Sequence, residues 1–398
     1  MTDRAEIAIV GAGIGGLVAA IALLDRGHDV TVYEQAPELA EVGAGLQLSA
    51  NATRVLDAVG VLDKVVAVSS QLEGKEIRLW NTGQTWKLFD LGTESIERYG
   101  FPYVTLHRAD LHTILADRVR ALAPEAIKLN HKLADFAQDA NGVALHFEGG
   151  AQARADLVVG ADGVHSKIRQ TLFGSGPAHF MGIVAWRGVI PAERLPERLV
   201  RQVGSNWVGP GGHVIHYPLR GGELMNFTSV VERKDWQVES WSFAGTNAEY
   251  HADYPGWHED VHTYIEAIPQ PFKWALMGRP PMTEWTRGRV TLLGDACHPM
   301  LPFLAQGAAM AIEDGLILAR ALEANATHDA AFRAYGNARI ERTTKVVNGA
   351  ADNATRFHNP ALAHAEGAAA YVDREWQPDL VRQRYEWLFR YDATAVEV

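Results

Sequence analysis

The 398-residue chain carries a formal net charge of -11, is 47% hydrophobic and 21% charged, and has a single cysteine, Cys297. That composition excludes a disordered or fibrous protein and an intramolecular disulfide, and it offers nucleic acid or an anionic membrane no global attraction. The length exceeds what one hydrophobic core usually serves, so two or three intertwined units are expected, with room to bury a large cofactor.

The start of the chain carries Asp3, Arg4 and Glu6 and then runs into a glycine loop, which leaves no room for the apolar core of a signal peptide. No stretch approaches the roughly twenty apolar residues that span a bilayer, and a cytoplasmic protein is expected. Residues 7–10 form a short apolar run that stops at Gly11, and residues 17–24 resume as an alanine-rich segment of helical character, so strand, turn and helix are predicted. After Gly27, the β-branched segment 29–34 predicts the second strand of a βαβ unit. The turn between them, Gly11-Ala12-Gly13-Ile14-Gly15-Gly16, satisfies GxGxxG in the context that gives the pattern meaning, after a strand and opening a helix. Backbone N–H groups at a helix N-terminus face a pyrophosphate that side chains would hold away, and Glu34 at the end of the second strand would accept from ribose hydroxyls. A dinucleotide is the expected ligand, and the loop by itself fits FAD and NAD alike.

Farther along, residues 108–120 read as a helix, 143–147 as an alternating strand and 156–160 as a buried strand ending in a turn, so the nucleotide fold resumes. From Met181 to Trp241, alternating segments broken by Gly209-Pro210-Gly211-Gly212 and Arg220-Gly221-Gly222 predict an antiparallel sheet. Within it, His213, Ile215 and Tyr217 share one face of a strand, because side chains alternate. The outer two Cα atoms would lie about 13 Å apart, a gap that takes a substituted benzene ring. Alone, either side chain reads as packing. Residues 290–293 return as a short buried strand before Gly294-Asp295, and beyond Pro302 an alanine-rich helical stretch runs to Leu322. Cys297 reads as packing, and no His, Cys, Asp and Glu grouping has metal-ligand spacing. The expected fold is α/β. It comprises a Rossmann-like nucleotide-binding domain discontinuous in sequence (1–72, 101–178 and 286–356), a mainly antiparallel β-sheet substrate domain (73–100 and 179–285) and a C-terminal helical segment (357–398).

Asp162-Gly163, in the run from Asp156 to Arg169, and Gly294-Asp295, in the run ending at Pro302, resemble the DG and GD motifs of single-component flavin-dependent aromatic hydroxylases. With GxGxxG they stand in that family's order, and the resemblance covers most of the chain; it is nearest to the salicylate hydroxylase and 3-hydroxybenzoate 6-hydroxylase type. The resemblance implies FAD, with Gly11, Gly13, Gly16 and Glu34 at its ADP half, Arg108 at the ribityl and phosphate region and Asp295 at the ribityl chain. Ile14, Gly15, Gln35, Gln47, Asp162, Gly163, Pro302, Gly307 and Ala308 complete the implied contacts. The segment from Leu304 to Met310 resembles the one that faces the flavin's pyrimidine edge, where a helix N-terminus suits negative charge. Ala305 and Met310 stand where the commoner GxGxN form has glycine and asparagine, so a backbone role is expected there.

His213 and Tyr217 resemble the pair that orients and deprotonates the substrate phenol, and Gln306 is a further candidate for touching substrate. The implied reaction hydroxylates a small phenolic acid with NADH or NADPH as transient co-substrate and O2, through a flavin hydroperoxide. A homodimer is expected. Hydroxypyridine acids stay open as substrates. Aromatic-stimulated NADH consumption separates this reading from a non-hydroxylating flavin oxidoreductase or a flavin-binding sensor.

Overall fold

The structure, a computed structural model, describes residues 4–39, 44–174, 176, 178–233, 235 and 243–398. Among these, a six-stranded sheet runs in the order Thr286–Arg287, Val290–Leu292, Leu157–Gly160, Glu6–Val10, Asp29–Tyr33, Ile127–Lys128. Apart from the antiparallel edge strand Thr286–Arg287, its neighbours pair parallel. Parallel strands are covered on both faces, which is why these segments read as short unbroken apolar runs; Ile9, Val158, Val159 and Leu292 are fully buried. The register aligns Val10 with Gly160 and Gly160 with Leu292, so three carboxyl-terminal strand ends from distant parts of the chain lie side by side. The helix Ile14–Leu24 packs against this sheet and against the helices Arg108–Leu122 and Gly307–Ala324. Gly315 permits the closest of those approaches, since a Cβ there would sit 2.7 Å from Ala19 N.

A seven-stranded sheet runs Phe272–Gly278, His179–Pro191, Leu224–Glu232, Gly212–Leu219, Val203–Gly209, Gly74–Leu79, Thr85–Asp90. It is antiparallel except where Val203–Gly209 meets Gly74–Leu79. The break predicted at Gly209 to Gly212 is a tight hairpin, with Gly211 at φ +71. The end of the predicted sheet stretch, residues 236–241, lies outside the described residues. The helices Asn247–Asp253 and Glu259–Ala267 cover one face and bury Tyr250 and Tyr264 with Trp186 and Phe227.

A three-stranded sheet that sequence reading leaves out, Gly45–Leu48, Val104–His107 and Ser70–Gln71, joins the two larger ones. Gly45 N donates to Asn226 Oδ1 at 2.8 Å, and Thr105 Oγ1 donates to Pro218 O at 2.6 Å. These strands are too short for a period to show. Other departures are small. The second and last parallel strands end at Tyr33 and Leu292, leaving Glu34 and Leu293 beyond them, and the first helix opens at Ile14. A 30-residue helix, His328–Phe357, follows Gly307–Ala324, and the tail forms the helices Ala365–Glu375 and Pro378–Phe389. Trp376 stacks on Phe357, and Phe389 packs on Tyr99 and Tyr103, so the tail folds back over the body. No helix among the described residues is long and apolar enough to cross a membrane.

Candidate active site

Three loops meet at the carboxyl ends of the parallel strands, where open α/β sheets bind ligands. Gly11 turns at φ +110, and a Cβ there would lie 2.3 Å from Ala161 O; one on Gly16 would lie 2.1 Å from Gly11 O. Gly15 is closed off by Leu293 and Ala311. Gly13, the N-cap of Ile14–Leu24, differs: a Cβ would meet nothing within 4 Å. Open space therefore stands before a helix end whose first N–H groups lack intrahelical partners. Glu34 braces the loop, its carboxylate accepting from Ala12 N at 2.8 Å and Ala36 N at 2.9 Å, and Gln35 beside it is exposed. His112 Nε2 donates to Ala12 O at 2.7 Å from Arg108–Leu122.

Asp162 Oδ2 accepts from Ile168 N at 3.1 Å, while its Oδ1 is buried without a hydrogen-bond partner. Burial raises this carboxyl above the ordinary aspartate range, with Ser166 and the Ile168 amide opposing. Gly163 follows at φ +73. Asp295 is exposed in the turn Gly294–Ala296, and Arg108 heads its helix with its N–H on Ala44 O. An open cradle at a helix N-terminus and an orphaned buried acceptor fit a dinucleotide such as FAD, which offers phosphates to the first and a hydroxyl donor to the second.

The Gly294 turn is held from below by a buried ion network. Asp314 Oδ2 accepts from Gly294 N at 3.0 Å and from His298 Nε2 at 2.6 Å, and Oδ1 accepts from Arg339 Nε at 2.6 Å. Glu313 accepts from Arg339 and Asn51 at 2.6 Å and twice from Arg342 at 2.8 Å. Burial opposes ionisation of both acids, but the facing cations more than offset it and lower both carboxyls. Cys297, His298 and Asp314 bring possible ligand atoms within 4.8 Å of one another, a grouping that spacing along the chain conceals. Asp314 is saturated by its three donors, one of them cationic, so the trio reads as part of this network and not as a metal seat.

A cavity of about 550 Å³, its open mouth included, lies between the seven-stranded sheet, the turn Pro302–Leu304 and the C-terminal helices. Its lining includes Gln47, Lys75, Asn206, Ile215, Phe303 and Tyr385. His213 and Tyr217 flank Ile215 on the same strand face and are buried, and unlike Ile215 neither is among the residues that line the cavity. The His213 ring packs on the edges of Phe303 and Phe357, two cavity-lining residues. Its Nδ1 lies 2.8 Å from His358 Nε2, and His358 Nδ1 lies 3.0 Å from Glu232 Oε1. Burial pushes both imidazoles below their ordinary value of 6.5, so both are neutral at pH 7. The Glu232 carboxylate can only accept, which puts the proton of His358 on Nδ1; His358 Nε2 then accepts from His213 Nδ1–H, and His213 Nε2 is left as the basic nitrogen.

Tyr217 lies against the Gly45 strand, where a Cβ on Gly45 would sit 2.7 Å from its ring. Burial raises its phenol far above the usual range, so it stays protonated and donates. Gln47, expected at the cofactor, lines the cavity and accepts from Tyr103 OH at 2.9 Å; Pro302 lines the cavity too. Gln306 is not among the lining residues. It caps Gly307–Ala324, donates to Ser49 Oγ at 3.0 Å and accepts from Asn51 at 3.1 Å. Gly307 and Ala308 open that helix, half-buried, and Ala305 before them holds φ +54, a left-handed conformation that glycine adopts without strain.

Sequence reasoning missed Lys75, Asn206, Tyr103, His358, Glu232, Trp376 and Tyr385. For Lys75 a signal existed, a lysine sharing a strand face with Ile77. Asn206 and Glu232 lie on the strands Val203–Gly209 and Leu224–Glu232 that pair with Gly212–Leu219, and Tyr103, His358, Trp376 and Tyr385 come from a loop and the helical tail; no sequence pattern links any of them to the strand at 213–217.

A family model described as an FAD binding domain matches residues 4–350. The chain is 36% identical over 397 residues to the 3-amino-4-hydroxybenzoate 2-monooxygenase PtnB3 of Streptomyces platensis, covering 99% of this chain and 98% of the relative. It is 37% identical over 359 residues to the 6-hydroxynicotinate 3-monooxygenase of Pseudomonas fluorescens, covering 89% and 92%. Among solved structures, Klebsiella pneumoniae HpxO complexed with FAD and uric acid matches with a TM-score of 0.82 at 25% identity, over 98% of this chain and 96% of that one.

Proposed function

This chain belongs to the FAD binding domain family of flavin-dependent aromatic monooxygenases, and from that premise we propose that it hydroxylates a six-membered aromatic ring carrying both a hydroxyl and a carboxylate. The observation that carries this reading is the strand Gly212–Leu219, which sets Ile215 on the cavity wall with a basic His213 nitrogen on one side and a protonated Tyr217 on the other. The related enzymes' own substrates, 3-amino-4-hydroxybenzoate and 6-hydroxynicotinate, are both hydroxylated ring acids. In both, hydroxyl and carboxylate occupy opposite ring positions.

In this reading residues 1–72, 101–178 and 286–356 bind FAD, residues 73–100 and 179–285 bind substrate, and 357–398 close over both. The loop from Gly11 to Gly16 takes the pyrophosphate, Glu34 the ribose, Asp162 and Asp295 the hydroxyls farther along, and the first turn of Gly307–Ala324 the isoalloxazine edge. Bound FAD supplies the redox and oxygen chemistry, with a reduced nicotinamide as electron donor. The chain's own residues orient the ring, keep water out and handle one proton. Tyr217 donates to the substrate oxygen, and His213 Nε2 takes the phenolic proton while its Nδ1 proton shifts towards His358 and the Glu232 carboxylate. An electron-rich ring results, poised for attack by an electrophilic oxygen.

The test is a panel of 3-amino-4-hydroxybenzoate, 6-hydroxynicotinate, 3-hydroxybenzoate and salicylate, with NADH and NADPH consumption, oxygen uptake and product mass followed together. At least one acid is expected to stimulate nicotinamide oxidation and yield a product with one added oxygen, with or without loss of its carboxylate. Failure of all four to do so would remove this reading.

A further inference from the structure

Lys75 lines the cavity from the strand Gly74–Leu79. Its side chain crosses Gly204, where a Cβ would sit 3.4 Å from Lys75 Cγ, and its ammonium stands 4.9 Å from the centre of the Tyr103 ring. Glu76, next to it in sequence and also on the cavity wall, is already paired: it receives Arg201 at 2.9 and 3.0 Å and Ser205 Oγ at 2.7 Å. No carboxylate among the described residues stands as a charge partner to Lys75, and burial lowers its ammonium. The remaining lining is mainly apolar, from Ile77, Leu88, Ile215, Phe303 and aromatic rings of the tail, with Gln47, Ser205 and Asn206 as its neutral polar members.

An ammonium half-buried in a largely apolar pocket, faced by the Tyr103 ring and no carboxylate, loses hydration that a methionine of similar shape would not, so packing alone does not explain it. We propose that Lys75 is the counter-ion for the substrate's carboxylate and makes this cavity select aromatic acids over neutral phenols. The inference rests on the hydroxylated ring acid proposed above and names the group that recognises its acid function.

Burial lowers the Lys75 ammonium to about 8. The other titratable groups around it are the phenols of Tyr103, Tyr217 and Tyr385, which burial raises above 10, and Glu76, held by Arg201 and Ser205. The charged form of Lys75 is therefore full below about pH 8 and is lost above it. Acid affinity should follow the same course, falling by up to about tenfold per pH unit once the amine is neutral.

The experiment titrates the FAD-loaded protein with each of the four panel acids and with its primary carboxamide, reading binding from the flavin absorbance. Lys75→Met is expected to retain FAD, weaken acid binding roughly 10- to 100-fold, leave carboxamide binding within about twofold, and flatten the pH dependence above 8. Lys75→Arg should keep the preference for acid over amide. Acid binding by Lys75→Met within about twofold of the parent, or an equal loss of acid and amide, overturns the assignment. Normal hydroxylation of a panel acid alongside either result would leave the proposed reaction standing without Lys75. Absence of binding by every acid to the parent protein would remove the reaction and this inference together.

Discussion

Single atoms decide what the glycine loop does. Gly16 and Gly13 look alike in the motif, yet a Cβ on Gly16 would strike Gly11 O at 2.1 Å while one on Gly13 would meet no protein atom within 4 Å. The first glycine is required by the loop itself, and the second leaves open space before the helix end. Gly16→Ala is expected to lower both the unfolding midpoint of the apoprotein and FAD retention. Gly13→Ala should leave that midpoint unchanged and cut FAD affinity by roughly tenfold or more, since the methyl fills the space before the helix N-terminus. Flavin-to-protein absorbance ratios after gel filtration, with apoprotein melting curves, separate the two; full FAD retention by Gly13→Ala would contradict the cradle. Residue identity also divides His213 from Tyr217, since burial lowers the imidazole and raises the phenol, leaving the first neutral with a lone pair and the second protonated; the proposed roles of base and donor follow that division. Ala305 is the residue that runs against local preference, holding a left-handed conformation at a cost of about 1 kcal/mol where the turn redirects the chain into Gly307–Ala324.

Elements are fixed to one another by charge as well as by packing. Glu313 and Asp314 read in sequence as ordinary polar residues of an alanine-rich helix, yet both are wholly buried and tie Gly307–Ala324 to His328–Phe357, to the helix Ala50–Ala58 and to the Gly294 turn. Breaking a buried pair leaves an uncompensated charge, which costs more than the pair contributes. Arg339→Met is therefore expected to destabilise the protein by about 3–5 kcal/mol in denaturant titrations and to loosen FAD through the Gly294 amide. Unchanged stability in that variant would show that Arg342 suffices for Glu313, and His298 with the Gly294 amide for Asp314. The short parallel strands were legible because burial on both faces demands an unbroken apolar run. The three-stranded sheet at 45–48, 70–71 and 104–107 was not, because strands this short carry no period.

At the scale of the whole molecule, the tail closes the cavity that the sheet begins. Trp376 and Tyr385, far along the chain from Ile215, line the same cavity, and His358 reaches His213 across 145 residues. Water exclusion protects a reactive oxygen species from unproductive release. Trp376→Ala is expected to leave substrate-stimulated NAD(P)H oxidation largely intact while diverting reducing equivalents to hydrogen peroxide, measured as a fall in hydroxylated product per nicotinamide with matching peroxide. Undiminished coupling would show that the tail does not seal the site. By itself the sequence determined the parallel nucleotide fold, the glycine loop, and the shared face of His213 and Tyr217, because helical and strand periods and turn chemistry are local properties of the chain; the two companion aspartate motifs were legible through resemblance to the flavin-dependent hydroxylases. Only the tertiary structure decided that Gln306 turns to Ser49 and Asn51, that Gln47 and Lys75 face the cavity, and that His358 and Glu232 set which nitrogen of His213 is basic. Those facts depend on contacts between segments remote in sequence, and no local pattern encodes which distant partner a buried polar group will find.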